Sequence, residues 1–265
     1  MKIYDCFPFF NELDLLEIRL NILNDVVDYF VISECTHTFT GNPKPLHYEE
    51  NKERFKDFHH KIIYSTVEDS PVEYDTASRE IFQKNQIHRA LQKCNDEDII
   101  LISDLDEIPK PEKINEAKHL DLNNKIICLK QNFYLYYLNY FLEEDYTESK
   151  EWNGTRIMKY GVMKRLPVNV IRNPYLINYT PEYISGGGWH FTFLGGKEKI
   201  LEKLDAYAHQ EFNIPDIRDN IDKIINENTH DLFFRKMKAK VVDIDSSYPK
   251  YIVNNIDKYK HLIKA

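Results

Sequence analysis

Through the first 103 residues, short runs that suit buried strands alternate with segments of helical period, and this alternation constrains the fold more than any other feature. "KIYDCF" (2–7), "YFVISE" (29–34), "KIIYSTV" (61–67) and "DIILIS" (98–103) are the strand candidates. Between them, "ELDLLEIRLNIL" sets Leu13, Leu16, Leu20 and Leu23 at helical spacing. A short charged helix is expected around 49–57, and "ASREIFQKNQIHRALQK" (77–93) reads as a longer one. Strands alternating with helices build an α/β fold, a mostly parallel sheet covered on both faces. Ligands of such sheets bind beyond the carboxyl ends of the strands. Asn11 with Glu12, Glu34, and Asp104 with Asp106 all fall at those ends.

After residue 120 the rhythm changes. "KIICLKQNFYLYYLNYF" (125–141) is a long β-rich run, heavily aromatic from Phe133 to Phe141. "EYISGGGWHFTFLGGKEKI" gathers Gly186, Gly187, Gly188, Gly195 and Gly196, and from about 197 the chain reads as helical, with Ile200, Leu201, Leu204 and Ala208 on one face. No internal repeat or low-complexity linker interrupts the chain, so one continuous domain over 1–265 is expected.

Charge and cysteines exclude several classes. A net charge of -8, with lysines interspersed among acids, argues against general affinity for nucleic acid. Cys6, Cys35, Cys94 and Cys128 are scattered and form no zinc-ribbon or disulfide pattern. "MKIYDCFPFF" carries an acid within its apolar stretch and lacks a small-residue cleavage site, and no run approaches a membrane span. A reducing cytoplasm is the expected compartment, with peripheral membrane association left open. The sequons at Asn153 and Asn178 carry no weight without secretion.

The sharpest local feature is "IILISDLDEIP" (99–109). In an extended segment residues i and i+2 point the same way, so Asp104 and Asp106 are expected to share a ligand while Leu105 returns to the core. A Mg2+ or Mn2+ ion held across bound phosphates is one reading; a solvated turn ended by Pro109 and Pro111 is the other. An Asp pair after a buried strand also serves phosphatases with an aspartate nucleophile, but that motif opens their domain, and here three strands come first. A sugar-nucleotide transferase of GT-A architecture, Rossmann-like in its first half, fits the mid-chain position better.

"YDCFPFFNELDLLEIRL", "VISECTHTFTGNPKPL", "ISDLDEIP" and "GGGWHFTFLGG…KLDAYAHQEFN" together resemble glycosyltransferase family seventeen, over most of residues 1–213, while the last fifty residues contribute nothing to the match. The pattern looks like the short soluble members found in microbes. The resemblance implies a GT-A-like fold, a UDP-sugar donor such as UDP-GlcNAc, a divalent cation and inversion at the anomeric carbon. It divides the chain into a nucleotide-binding half (1–120), an acceptor and catalytic half (121–213) and a C-terminal extension (214–265). The partners it implies are the donor and a glycan or glycolipid acceptor whose identity is not carried over.

On that reading Asp104 and Asp106 match the family's D-x-D and are expected to hold the metal and the diphosphate, with His190 of "GGGWHF" as a further metal ligand. Glu107 is expected to be exposed. Trp189 offers a flat face for a sugar ring. Asn11, Glu12, Glu34, Arg79 and Asn85 are expected to face the donor; Arg89 reads more simply as solvated. Inverting transfer needs a carboxylate base, for which Glu211 leads, followed by Glu182, Asp145 and Glu151. The aromatic run and Trp152 are offered as part of an acceptor groove. Two rival functions share these acids: a metal-dependent phosphatase or sugar-nucleotide hydrolase, and a non-catalytic carbohydrate-binding protein.

Overall fold

The structure is a computed structural model that describes residues 1–145, 151–173 and 181–265. The expected opening is present: β1 (Ile3–Phe9), α1 (Leu13–Leu23), β2 (Tyr29–Cys35), α2 (His47–Asn51), β3 (Ile62–Val67), α3 (Thr76–Asn85), α4 (Ile87–Ala90) and β4 (Ile99–Ile102). β1 pairs in parallel with both β2 and β4, and β2 with β3, giving the order β4-β1-β2-β3. All four residues of β4 are buried, the pattern of a strand covered on both faces. α1 packs Leu16, Leu20 and Leu23 into the same core as Phe7, Phe30 and Leu101. The single long helix expected over 77–93 is broken at Gln86, where α3 gives way to α4.

Next come β5 (Glu107–Pro109), α5 (Pro111–Ala117), β6 (Ile127–Leu135), β7 (Tyr140–Asp145), β8 (Glu151–Lys159), α6 (Tyr160–Met163), α7 (Val168–Arg172), β9 (Glu182–Ile184), β10 (Gly188–Thr192), α8 (Gly196–Ala206) and β11 (Met237–Val241). Among the described residues all the strands join one mixed sheet, β11-β7-β6-β8-β4-β1-β2-β3, with β10 bridging β5 and β6 and with β9 beside β6. β8 is antiparallel to both β4 and β6, so the parallel half passes directly into a mixed half. The β-rich run 125–141 supplies β6 and the start of β7, divided where Tyr136 takes a φ of 65°. β5 is an addition to the expected elements: Pro109 does not stop the chain but pairs with Gly188 of β10. That pairing needs glycine, because a Cβ on Gly188 would lie 2.2 Å from the Ile108 carbonyl oxygen.

The last fifty residues are built into this body. β11 pairs with β7, and Tyr248, Ile252, Tyr259 and Leu262 join the core beneath α1. Asn139 brackets the tail, its amide donating to the Lys264 carbonyl (2.9 Å) and its oxygen accepting from the Lys264 N–H (2.8 Å). No helix among the described residues is long and apolar enough to cross a membrane.

Candidate active site

Residues 103–106 leave the sheet between β4 and β5, and the Glu107 N–H donates to the Asp104 carbonyl at 3.1 Å, so the acids sit on a tight turn rather than on an extended strand. The turn is anchored from behind. Arg19, fully buried on the apolar face of α1, donates to both oxygens of the buried Asp5 (2.8 and 2.6 Å) and to the Ser103 hydroxyl (2.6 Å). Its remaining terminal nitrogen donates to the carbonyls of Asp104, Leu105 and Glu107, each at 3.0 Å. Glu107 is buried, not exposed as expected. Its carboxylate accepts from both terminal nitrogens of Arg172 (2.6 and 2.5 Å), from the Trp152 indole (2.7 Å) and from the Asp104 N–H (3.2 Å). Sequence hinted at this clamp through one acid inside β1 and one arginine among the leucines of α1; Arg172 left no comparable sign.

In front of the turn lies a cleft of about 420 Å3, lined by Phe9, Ser33, Val67, Asp104 and Asp106 at the carboxyl ends of the parallel strands. β2 and β4 flank β1 on opposite sides, so the cleft opens where the strand order reverses, the usual ligand position in such sheets. Lys84 of α3 reaches Asp104 at 3.0 Å and Glu80 at 2.9 Å; Arg172 reaches Asp104 at 3.3 Å. Lys203 of α8 reaches Asp106 at 3.2 Å, and His190 Nε2 lies 3.5 Å from the other Asp106 oxygen. Burial alone would raise both aspartate pKa values, but Lys84 and Arg172 hold Asp104 low, and Lys203 and His190 hold Asp106 far below the carboxylate range. Conversely, burial would lower the lysines, yet Asp104 and Glu80 raise Lys84, and Asp106 raises Lys203. The imidazole of His190 is sandwiched, its ring 4.7 Å from Phe133 and 4.7 Å from Trp152, and its buried Nδ1 has no hydrogen-bond partner among the described residues.

The structure brings together only part of the predicted set. Asp104, Asp106, Glu12 and His190 line the cleft. Asn11 lies on a small adjoining hollow and donates to Glu202 at 2.8 Å. Glu34 is fully buried and already accepts from Lys44 (2.8 Å), the His47 N–H (2.6 Å), the Tyr48 N–H (3.0 Å) and the Tyr64 hydroxyl (2.9 Å), so it ties down α2 instead of facing a nucleotide. Arg79 is buried on the Phe39 and Val72 carbonyls, and Asn85 accepts from the Val168 N–H; neither lines the cleft, although Glu80, Gln83 and Lys84 of the same helix do. Arg89 forms an exposed pair with Asp69. Trp189 is buried in the main core, and the cleft-facing indole is that of Trp152.

Of the proposed bases, Glu182 is exposed on β9 and paired with Lys125 at 2.7 Å, away from the cleft. Glu151 accepts from the Gly186 N–H. Asp145 is placed only as the end of β7, its side chain lying outside what is described, as does the sequon at Asn178. Glu211 does not line the cleft itself but is 2.7 Å from Nδ1 of His209, which does. Tyr207, Phe212 and Phe233 surround His209 with ring centroids 5.1 to 6.4 Å away.

The donor set does not fit the expected divalent cation as it is arranged. Both aspartates are engaged by ammonium groups, and no three His, Cys, Asp or Glu side chains among the described residues gather into a metal-binding group. The positive charge facing the acids comes from the chain's own Lys84, Lys203 and Arg172.

A family model described as glycosyltransferase family 17 matches residues 1–265, including the C-terminal stretch that the quoted motifs left out. The human and rat proteins named β-1,4-mannosyl-glycoprotein 4-β-N-acetylglucosaminyltransferase are each 32% identical over 108 residues, 37% of this chain and 20% of their own length. The match therefore takes in about a fifth of those relatives. A solved structure of the galactosyltransferase LgtC, in complex with donor and acceptor sugar analogs, superposes with a TM-score of 0.37 and 9% identity over 68% of this chain and 67% of that one.

Proposed function

The chain belongs to glycosyltransferase family 17, and from that premise we propose that it moves GlcNAc from UDP-GlcNAc to a hydroxyl of a glycan or glycolipid, with inversion to a β linkage. The observation that carries this reading is the cleft at the strand-order reversal, with Asp104 and Asp106 presented on a turn clamped from behind. The choice of sugar rests on the names of the relatives. In the reaction, an acceptor oxygen attacks the anomeric carbon as the bond to UDP breaks, and the acceptor's proton goes to a base on the chain. His209 Nε2 is that base in this reading, with Glu211 accepting from Nδ1–H and so fixing the tautomer that leaves Nε2 free to take the proton. The aromatic rings around His209 supply flat faces on which a pyranose can stack.

The test is a thermal-shift screen of UDP-sugars together with product analysis against a panel of acceptor glycans. Stabilisation by UDP-GlcNAc, with UDP release accelerated by an acceptor, is the expected result. No stabilisation by any UDP-sugar would sink the proposal. Release at a rate indifferent to every acceptor would point to hydrolysis instead.

A further inference from the structure

We propose that the ammonium groups of Lys84 and Lys203 are the diphosphate-binding groups of the cleft, in the place where the sequence suggests a bound cation. This rests on the nucleotide-sugar reading above. A phosphate oxygen and a carboxylate repel, so Asp104 and Asp106 cannot hold a diphosphate directly; cations must stand between them.

The cleft-lining cations are not equally placed to do so. Lys44 and Arg235 are drawn towards Glu34 and Asp231, acids that do not line the cleft, whereas Lys84 and Lys203 pair with the acids of the turn that does. Lys84 has Glu80 and Asp104 as its acceptors, and Lys203 has Asp106 alone among the described residues. An ammonium group carries three donors, so one remains on Lys84 and two on Lys203. Their side chains are only 16% and 24% exposed, and both line the cleft.

Placement strengthens the case. The aspartates are two residues apart on one fixed turn, so their pairs set two ammonium groups at neighbouring points of the cleft. Much of the surrounding lining is apolar, including Phe9, Phe133 and Phe193, the last only 5.0 Å beneath the Lys203 ammonium. In such surroundings a charge-assisted bond to phosphate is stronger than on an open surface. The aspartates then act as holders that keep two buried ammonium groups charged and aimed before the ligand arrives.

The experiment compares calorimetric affinities for UDP, uridine and inorganic pyrophosphate in the wild type, Lys84→Gln, Lys203→Gln and Lys203→Arg. Glutamine keeps a donor for the aspartate while removing the charge, and melting temperatures verify that each variant folds. Each glutamine variant is expected to weaken UDP at least about tenfold while uridine changes by less than about twofold, and Lys203→Arg to recover most of the UDP affinity. The loss is expected with Mg2+ present and in EDTA alike, because it belongs to the chain's own groups. Unchanged UDP affinity in both glutamine variants, or equal losses for UDP and uridine, would overturn the inference alone. Lysine-dependent binding of pyrophosphate without binding of any UDP compound would uphold the phosphate clamp and defeat the nucleotide-sugar reading.

Discussion

Glu34 and Asp106 begin as the same signal, an acid where a buried parallel strand ends, and the fold uses them in opposite ways. Glu34 receives four donors and is sealed, so its charge is spent inside the protein. Asp106 receives one ammonium and one imidazole and faces a cleft, so its partners can still be shared with a ligand. The difference lies in the segment after each strand. Beyond β2 the chain returns Lys44 and the start of α2 over the carboxylate; beyond β4 it turns within four residues into β5 and leaves Asp104 and Asp106 on the wall of the cleft. An acid at a strand end becomes a site only when the next segment does not cover it.

Substitutions can break this contrast. Glu34→Gln places an amide against four donors and is expected to cost about 3–5 kcal/mol of stability in urea denaturation, while the folded protein keeps its nucleotide affinity. A loss under about 1 kcal/mol would erase the distinction between the two acids. Asp106→Asn is expected to behave in reverse, lowering transfer by about 10²–10³-fold at a stability cost below that of Glu34→Gln, because its amide oxygen can still accept from Lys203. Within the second half of the chain, His209→Gln should reduce kcat about 10²-fold, whereas Glu182→Gln should leave it within about twofold. Equal effects of those two would remove His209 from the mechanism.

The smallest effect is one of pH. The Asp106 carboxyl is depressed in the folded state, so the stability its pairing contributes is fully present above the ordinary carboxylate pKa of about 3.9 and is lost as pH falls towards the folded value. The melting-temperature gap between the wild type and Asp106→Asn should therefore be constant from about pH 7 to 5 and shrink below about pH 4.

The parallel half of the fold was legible because its strands are apolar runs and α1 has a regular leucine spacing. The Asp pair was legible because it comes directly after such a run. Lys84 and Lys203 were not, since a lysine on a mixed helix face looks the same whether it meets water or a buried aspartate. Trp189 and Trp152 show the same limit: a short strand fixes that a ring alternates sides, but only the pairing of β10 with β5 and β6 decides which side is core. The divided run at 125–141 hid its break because Tyr136, with a positive φ, carries none of the usual turn chemistry.

The Arg19 clamp also bears on the timing of order. Its bonds to three carbonyls of the acid turn exist before any ligand enters. Fixing a residue's backbone takes about 1–2 kcal/mol of entropy, and for this turn that loss falls within folding rather than within each catalytic cycle. At this turn a donor therefore meets backbone already in place, and the adjustment left there falls to the tips of Lys84 and Lys203, since side-chain rotamers exchange far faster than loops rearrange.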